Sequence, residues 1–193
     1  MSTLTLGGST LANKTGSVVS INDGVVLPAG SVLQVNQVCD QTLTDRVGDK
    51  SSWALIPNMT CTLPNNLQSG SKLLASFSGL YGEYEGTWYA CTTVFTLFQN
   101  STNVAGNQLN SLDGDHGFVQ VGTRGASQQY WREPFSSSAL FTPTGDDTAK
   151  RSVSLYWKNN CTASFTSYLN RAGNTAVEYQ AGATVLTLME IAS

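Results

Sequence analysis

The sequence predicts an all-β chain, an antiparallel sandwich or barrel of about 8–10 short strands. Turn-rich stretches such as Pro64-Asn65-Asn66, Ser69-Gly70, Pro143-Thr144-Gly145-Asp146 and Gly173-Asn174 cut the chain into short apolar segments at a regular beat. No stretch of ordinary helix length carries a 3.6-residue hydrophobic period; Ser101–Leu112 comes nearest and reads as loop. Ser and Thr supply 44 of the 193 residues. Such side chains compete for backbone hydrogen bonds or branch at Cβ, which disfavours helix interiors.

Residues 1–30 stand apart. They are rich in Gly, Ser and Thr, and their apolar content is confined to short runs such as Val18-Val19 and Val25-Val26-Leu27, ahead of Pro28-Ala29-Gly30. That is too little apolar area for a core, so this segment is expected to be an extended assembly arm ordered against its neighbours. Residues 31–193 then form one domain, long enough to bury a core without metals or bridges. Its strands are expected at Ser31–Cys39, Ser52–Ile56, Met59–Leu63, Lys72–Phe77, Thr87–Phe98, Gly117–Val121, Ala139–Phe141, Arg151–Lys158, Ala163–Leu169 and Ala183–Ile191.

Alternation within these segments separates wet faces from dry ones. In Arg151–Lys158, Val153, Leu155 and Trp157 alternate with Ser152, Ser154 and Lys158, which suits a half-buried strand. Two segments are apolar on both sides. Thr87–Phe98 sets Val94 and Phe98 opposite Phe95 and Leu97, and Ala183–Ile191 sets Val185 and Met189 opposite Leu186 and Leu188. An antiparallel strand of this kind needs a cover on its outer face, and another copy of the chain is the economical one. Val94, Phe98, Val185, Leu186, Leu188 and Met189 are therefore the candidate oligomer-interface residues.

Charge excludes several function classes. Only 12% of residues are charged, the net charge is −3, and no Lys or Arg occurs between Leu73 and Gly122. A nucleic-acid interface needs clustered cations, so nucleic acid is not an expected partner. No apolar run approaches a membrane span, and the MSTLTLGGSTLANK start lacks a basic segment followed by an apolar block. Synthesis and assembly in a cytosol are expected. Cys39, Cys61, Cys91 and Cys161 have no metal-type spacing and are expected as buried thiols.

Catalytic chemistry finds little support, and no cofactor is expected. His116 is the sole histidine, and no nucleophile elbow or phosphate-cradling loop is present. Glu83 and Glu85 would share one face of a strand, but Tyr81-Gly82-Glu83-Tyr84-Glu85-Gly86 reads more simply as a solvated hairpin tip. Asp113-Gly114-Asp115-His116 reads as a glycine turn, without the further acidic ligands of a calcium loop. Flat aromatics and acidic groups in loops can stack on sugars and accept their hydroxyls. Tyr81, Tyr84, Asp113, Asp115, Tyr130 and Trp131 are thus the candidate receptor- or partner-binding residues, in the stretches Gly79–Trp88 and Asn107–Arg132.

The segments Gly30–Val35 (GSVLQV), Ala139–Asn160 (ALFTPTGDDTAKRSVSLYWKNN), Ser167–Gly173 (SYLNRAG) and Ala183–Ile191 (ATVLTLMEI) resemble small virion structural proteins of marine and cyanobacterial phages. The resemblance covers residues 30–193. It implies a jelly-roll similar to tumour necrosis factor and the complement globular head, assembled as a homotrimer. It also implies a place in the virion, as a tail fibre or fibre tip contacting host surface glycan, with residues 1–30 docking on other virion proteins. A capsid decoration or cement protein (a head fibre) without a host ligand is the alternative. Gly79–Trp88 and Asn107–Arg132 match nothing in that family.

Overall fold

The computed structural model describes residues 2–6, 9–15, 18–21, 28–48, 52–84, 92–100, 108–109, 117–121, 131–160, 165–170 and 182–193. Among them are three sheets. The strands β1 (Ser2–Leu6), β2 (Ser9–Thr15) and β3 (Val18–Ile21) pair with one another as an antiparallel meander, and none pairs with the strands that follow. The stretch expected as an extended arm is thus a small sheet of its own.

The remaining strands are β4 (Val32–Asp40), β5 (Thr44–Gly48), β6 (Ala54–Thr62), β7 (Lys72–Tyr84), β8 (Thr92–Gln99), β9 (Val119–Val121), β10 (Trp131–Phe141), β11 (Ser152–Asn160), β12 (Phe165–Leu169) and β13 (Thr184–Ile191). The helical turn α1 (Asp147–Lys150) connects β10 to β11. Eight strands pair in a nested order: β4 with β13, β6 with β11, β7 with β10, and β8 with β9, all antiparallel. Two cross-pairs, β13 with β7 and β11 with β8, gather them into the sheets β4-β13-β7-β10 and β6-β11-β8-β9. First with last, second with second-to-last, and so inward: this is jelly-roll winding. The pair β5–β12 extends the first sheet along the far half of β7.

The expected strands appear, with instructive differences at their bounds. Ser52–Ile56 and Met59–Leu63 fuse into β6, because Asn58 takes a left-handed φ of 60° and the β6–β11 register shifts across it. Pro57 is tolerated there since β6 is an edge strand. Strand β7 continues through Gly79–Tyr84, expected as a loop, because β10 pairs with it from Phe141↔Leu73 to Trp131↔Glu83. At Gly79 a Cβ would lie 2.5 Å from the Phe135 ring, so glycine is what lets that ring cross the strand. Phe135 then stacks on Phe95 across the sandwich, at 4.1 Å and 10°. Strand β5 has too little apolar content to be read as a strand in advance.

Leu186 and Leu188 of β13, Leu73, Ala75 and Phe77 of β7, and Val153, Leu155 and Trp157 of β11 fill the space between the sheets. Polar side chains tie the structure at both ends. The carboxyl of Glu190, 1% exposed, accepts hydrogen bonds from Gln34 Nε2 (2.6 Å), the Gln68 backbone N–H (2.6 Å) and Ser71 Oγ (2.7 Å). Asn170, left-handed at φ 63°, donates to the carbonyls of Asp40 and Thr42 and accepts from Thr184 Oγ1.

Glu190→Ala should therefore strand three donors and lower stability by about 2–3 kcal/mol. Leu188→Ala, which opens a core cavity, should cost about 2–5 kcal/mol. Urea unfolding followed by circular dichroism measures both, and a Glu190→Ala variant as stable as the natural chain would refute the role given to that carboxyl.

Candidate interaction surface

The pleat of β13 sorts the predicted interface residues into two groups. Leu186 and Leu188 are fully buried within the chain itself, paired with Phe77 and Ala75. Their expected place at a subunit interface is corrected: they are core. Val185 and Met189 alternate with them, so they stand on the outer face of the sheet, half-buried.

Register places their neighbours. One row across the outer face runs Val35–Met189–Leu74–Leu140. The next runs Gln37–Thr187–Ser76–Ser138, and the third Cys39–Val185–Ser78–Ser136. Val32 and Ile191 pair beyond the apolar row. The face thus carries an aliphatic band beside a band of small hydroxyls. Over the hydroxyls lies a shallow depression of about 370 Å³, bounded by Ser76, Ser78, Ser136, Ser138, Val185 and Thr187. Lys72, opposite Ile191, is the only charged side chain in these rows.

The other sheet behaves differently. Val94 and Phe98 were expected beneath a second copy, yet they are 3% and 1% exposed within one chain. The chain supplies its own cover. Trp53 meets Phe98 edge-on at 6.0 Å, Phe98 meets Tyr156 at 4.8 Å, and Lys158 Nζ lies 4.6 Å over the Trp53 ring. Gln108 bridges to Phe98 and donates to Thr96 Oγ1. Apolarity on both strand faces was legible in the sequence, but the identity of the cover was not.

Of the receptor-binding candidates, Tyr81 alone has a described side chain. Tyr81 is fully buried, with its ring edge-on to Phe95 at 6.2 Å. Its hydroxyl lies 3.0 Å from Thr93 Oγ1, which is itself 2.6 Å from Ser167 Oγ; Ser167 donates to Asn159 Oδ1 at 2.7 Å. All four residues are buried, so the cluster pins the two sheets together and has no access to a ligand. Its two halves, Tyr81 with Thr93 and Asn159 with Ser167, lie more than sixty residues apart, and no local motif announces it. Tyr84 and Trp131 occupy the ends of β7 and β10, paired with Thr166 and Glu83, and are strand residues where loops were expected. Asp113, Asp115, His116, Glu85 and Tyr130 lie outside the described residues. Among the described residues no cluster of three or more His, Cys, Asp or Glu could hold a metal.

No protein-family model matches the chain, and no curated protein does. Among solved structures it is similar to chains of infectious bursal disease virus, strains Gx and Gt, at 10% and 9% identity and TM-scores of 0.38 and 0.37. Each alignment covers 94% of this chain but only 40% and 42% of the viral one, so the chain spans about two fifths of their length. It is also similar to the CBM22-1 xylan-binding domain of Paenibacillus barcinonensis Xyn10C, at 12% identity, a TM-score of 0.28, and coverage of 87% and 99%.

The two described cysteines differ. Cys39 is exposed on the outer face, against the expectation of a buried thiol, whereas Cys61 is buried in the core. Burial pushes the Cys61 thiol above its ordinary pKa of 9.0, partly offset by a hydrogen bond with the Leu188 backbone. Burial also raises the Tyr156 hydroxyl. A raised folded-state pKa contributes stability below the unfolded value and loses it as pH rises through the folded one. Cys61 should resist iodoacetamide until urea unfolds the chain, and stability should fall above pH 9, less steeply in Cys61→Ala. Rapid alkylation of Cys61 in the folded protein would contradict its placement.

Proposed function

We propose that the chain is a structural, non-catalytic component of a bacteriophage particle and works as a homo-oligomer. The observation that carries this reading is where the phage-like segments fall. GSVLQV leads into β4, RSVSLYWKNN supplies β11, SYLN ends β12, and TVLTLMEI is β13. They are framework strands, and their motif polar residues, Glu190 and Asn170, are the clamps of the sandwich. The described cluster of Tyr81, Thr93, Ser167 and Asn159 is spent on holding the sheets together. What the described part of the chain presents outward is a broad, nearly uncharged sheet face.

The finer reading is a trimeric tail-fibre or fibre-tip module, docked through residues 1–30 and touching host surface glycan. Separation of the β1–β3 meander from the sandwich sheets supports a docking role for that segment. A capsid decoration protein is the second reading. Burial of Tyr81 favours it, because it removes a side chain that a host contact would use.

Deleting residues 1–30 should leave a folded, soluble sandwich that no longer enters particles. Cryo-electron microscopy of whole particles, with and without the deletion, tests this. Density for the chain at the tail would support the fibre, and density on the capsid lattice the decoration protein. Absence of the chain from purified particles would overturn both, and normal incorporation of the truncated chain would remove the docking role of residues 1–30.

A further inference from the structure

We infer that a second copy of this chain packs on the outer face of the β4-β13-β7-β10 sheet, centred on the row Val35–Met189–Leu74–Leu140. This locates the contact behind the homo-oligomer proposed above and rests on that reading. Four large apolar side chains are exposed among the described residues, and three of them, Val32 (51%), Val35 (54%) and Leu140 (58%), share this face. They lie in adjacent rows with Met189 and Ile191, so they form one patch. Contiguous exposed patches of this kind mark contact surfaces, whereas scattered apolar residues do not.

Three properties point to a copy of the chain as the occupant. The first is charge. Two chains of net charge −3 repel, and this face brings no carboxylate to the contact; Lys72 stands at its margin. The second is the hydroxyl band of Ser76, Ser78, Ser136, Ser138 and Thr187. Each hydroxyl both donates and accepts, so the band can meet neutral polar groups of an identical chain without leaving either side unpaired. Serines are also short, which lets a partner approach to sheet-packing distance, about 10 Å. The third is size. Four strands about 4.8 Å apart and about eight residues long give a footprint of roughly 500 Å² per copy. Two copies then bury on the order of 1,000 Å², which reaches what a specific interface needs.

The test uses the full chain. Sedimentation velocity and light scattering from low to high micromolar concentration should show self-association. Val35→Lys and Leu140→Lys should each raise the dissociation constant about tenfold or more, as loss of a central apolar contact does. Both side chains are exposed in the single chain, so the variants should still melt cooperatively, with Tm lowered only by the lost linkage to assembly and matching that of the natural chain at concentrations where it is monomeric. Cys39, on the same face, supplies a local readout. Its alkylation should be slow in the assembled natural protein and fast in the double variant.

A natural chain that stays monomeric at every concentration overturns the inference, whether a glycan or another virion protein occupies the face instead. So do variants that assemble normally with Cys39 equally reactive in both. If the chain is found in particles yet is monomeric in solution, this inference fails while the virion reading stands. If it assembles through this face but is absent from particles, the virion reading fails and this inference stands.

Discussion

Strand β13 satisfies two neighbours at once: residues 184–191 pair with β4 on one side, and residues 185–191 pair with β7 on the other. Remove it, and β4 loses its ladder, β7 loses one of three, and Leu186 and Leu188 vanish from the core. Its last charged residue, Glu190, is where the 64–71 connection is fastened, through the Gln68 backbone and Ser71. The neighbouring turn is fastened by the chain itself: Gly30 N–H donates to the Ala192 carbonyl and Ala192 N–H to Ser31. The remainder of the first sheet is built outward from this strand.

The low charge content makes sense in this setting. Where strand edges and loops meet, neutral amides and hydroxyls close the sandwich. Asn36 Nδ2 donates to the Thr62 carbonyl, and Gln34 exchanges hydrogen bonds with the Asn65 backbone, joining the edges β4 and β6. Gln99 reaches the carbonyls of Thr144 and Lys150 across the far connection. Amides can satisfy backbone groups without the desolvation cost of an ion, so a sandwich stitched this way needs few charges inside. The Ser, Thr, Asn and Gln enrichment visible in the composition is in part this stitching.

Strand existence was legible because alternation and turn residues are local signals: β4, β11 and β13 lie within a residue or two of where the pattern puts them. Strand extent was not. The far half of β7 reads as a glycine-rich hairpin tip, and only pairing with β10 and β12, some fifty and more residues away, makes it a strand. The same gap explains Tyr81, whose flanking Gly and Glu suggest solvent while its long-range partners Phe95 and Thr93 enclose it. Two-sided apolarity correctly signalled a second cover for β8. For β8 the cover is Trp53 and Tyr156 within the chain, a distinction that periodicity does not encode.

Nested pairing has a kinetic consequence. The innermost pair, β8 with β9, joins residues a few tens apart, whereas the outermost joins Val32 to Ile191. Contacts of such separation appear late and slowly, because loop-closure entropy rises with each ring of the nest. During synthesis β4 and β7 leave the ribosome long before β13, so each waits with an unpaired edge.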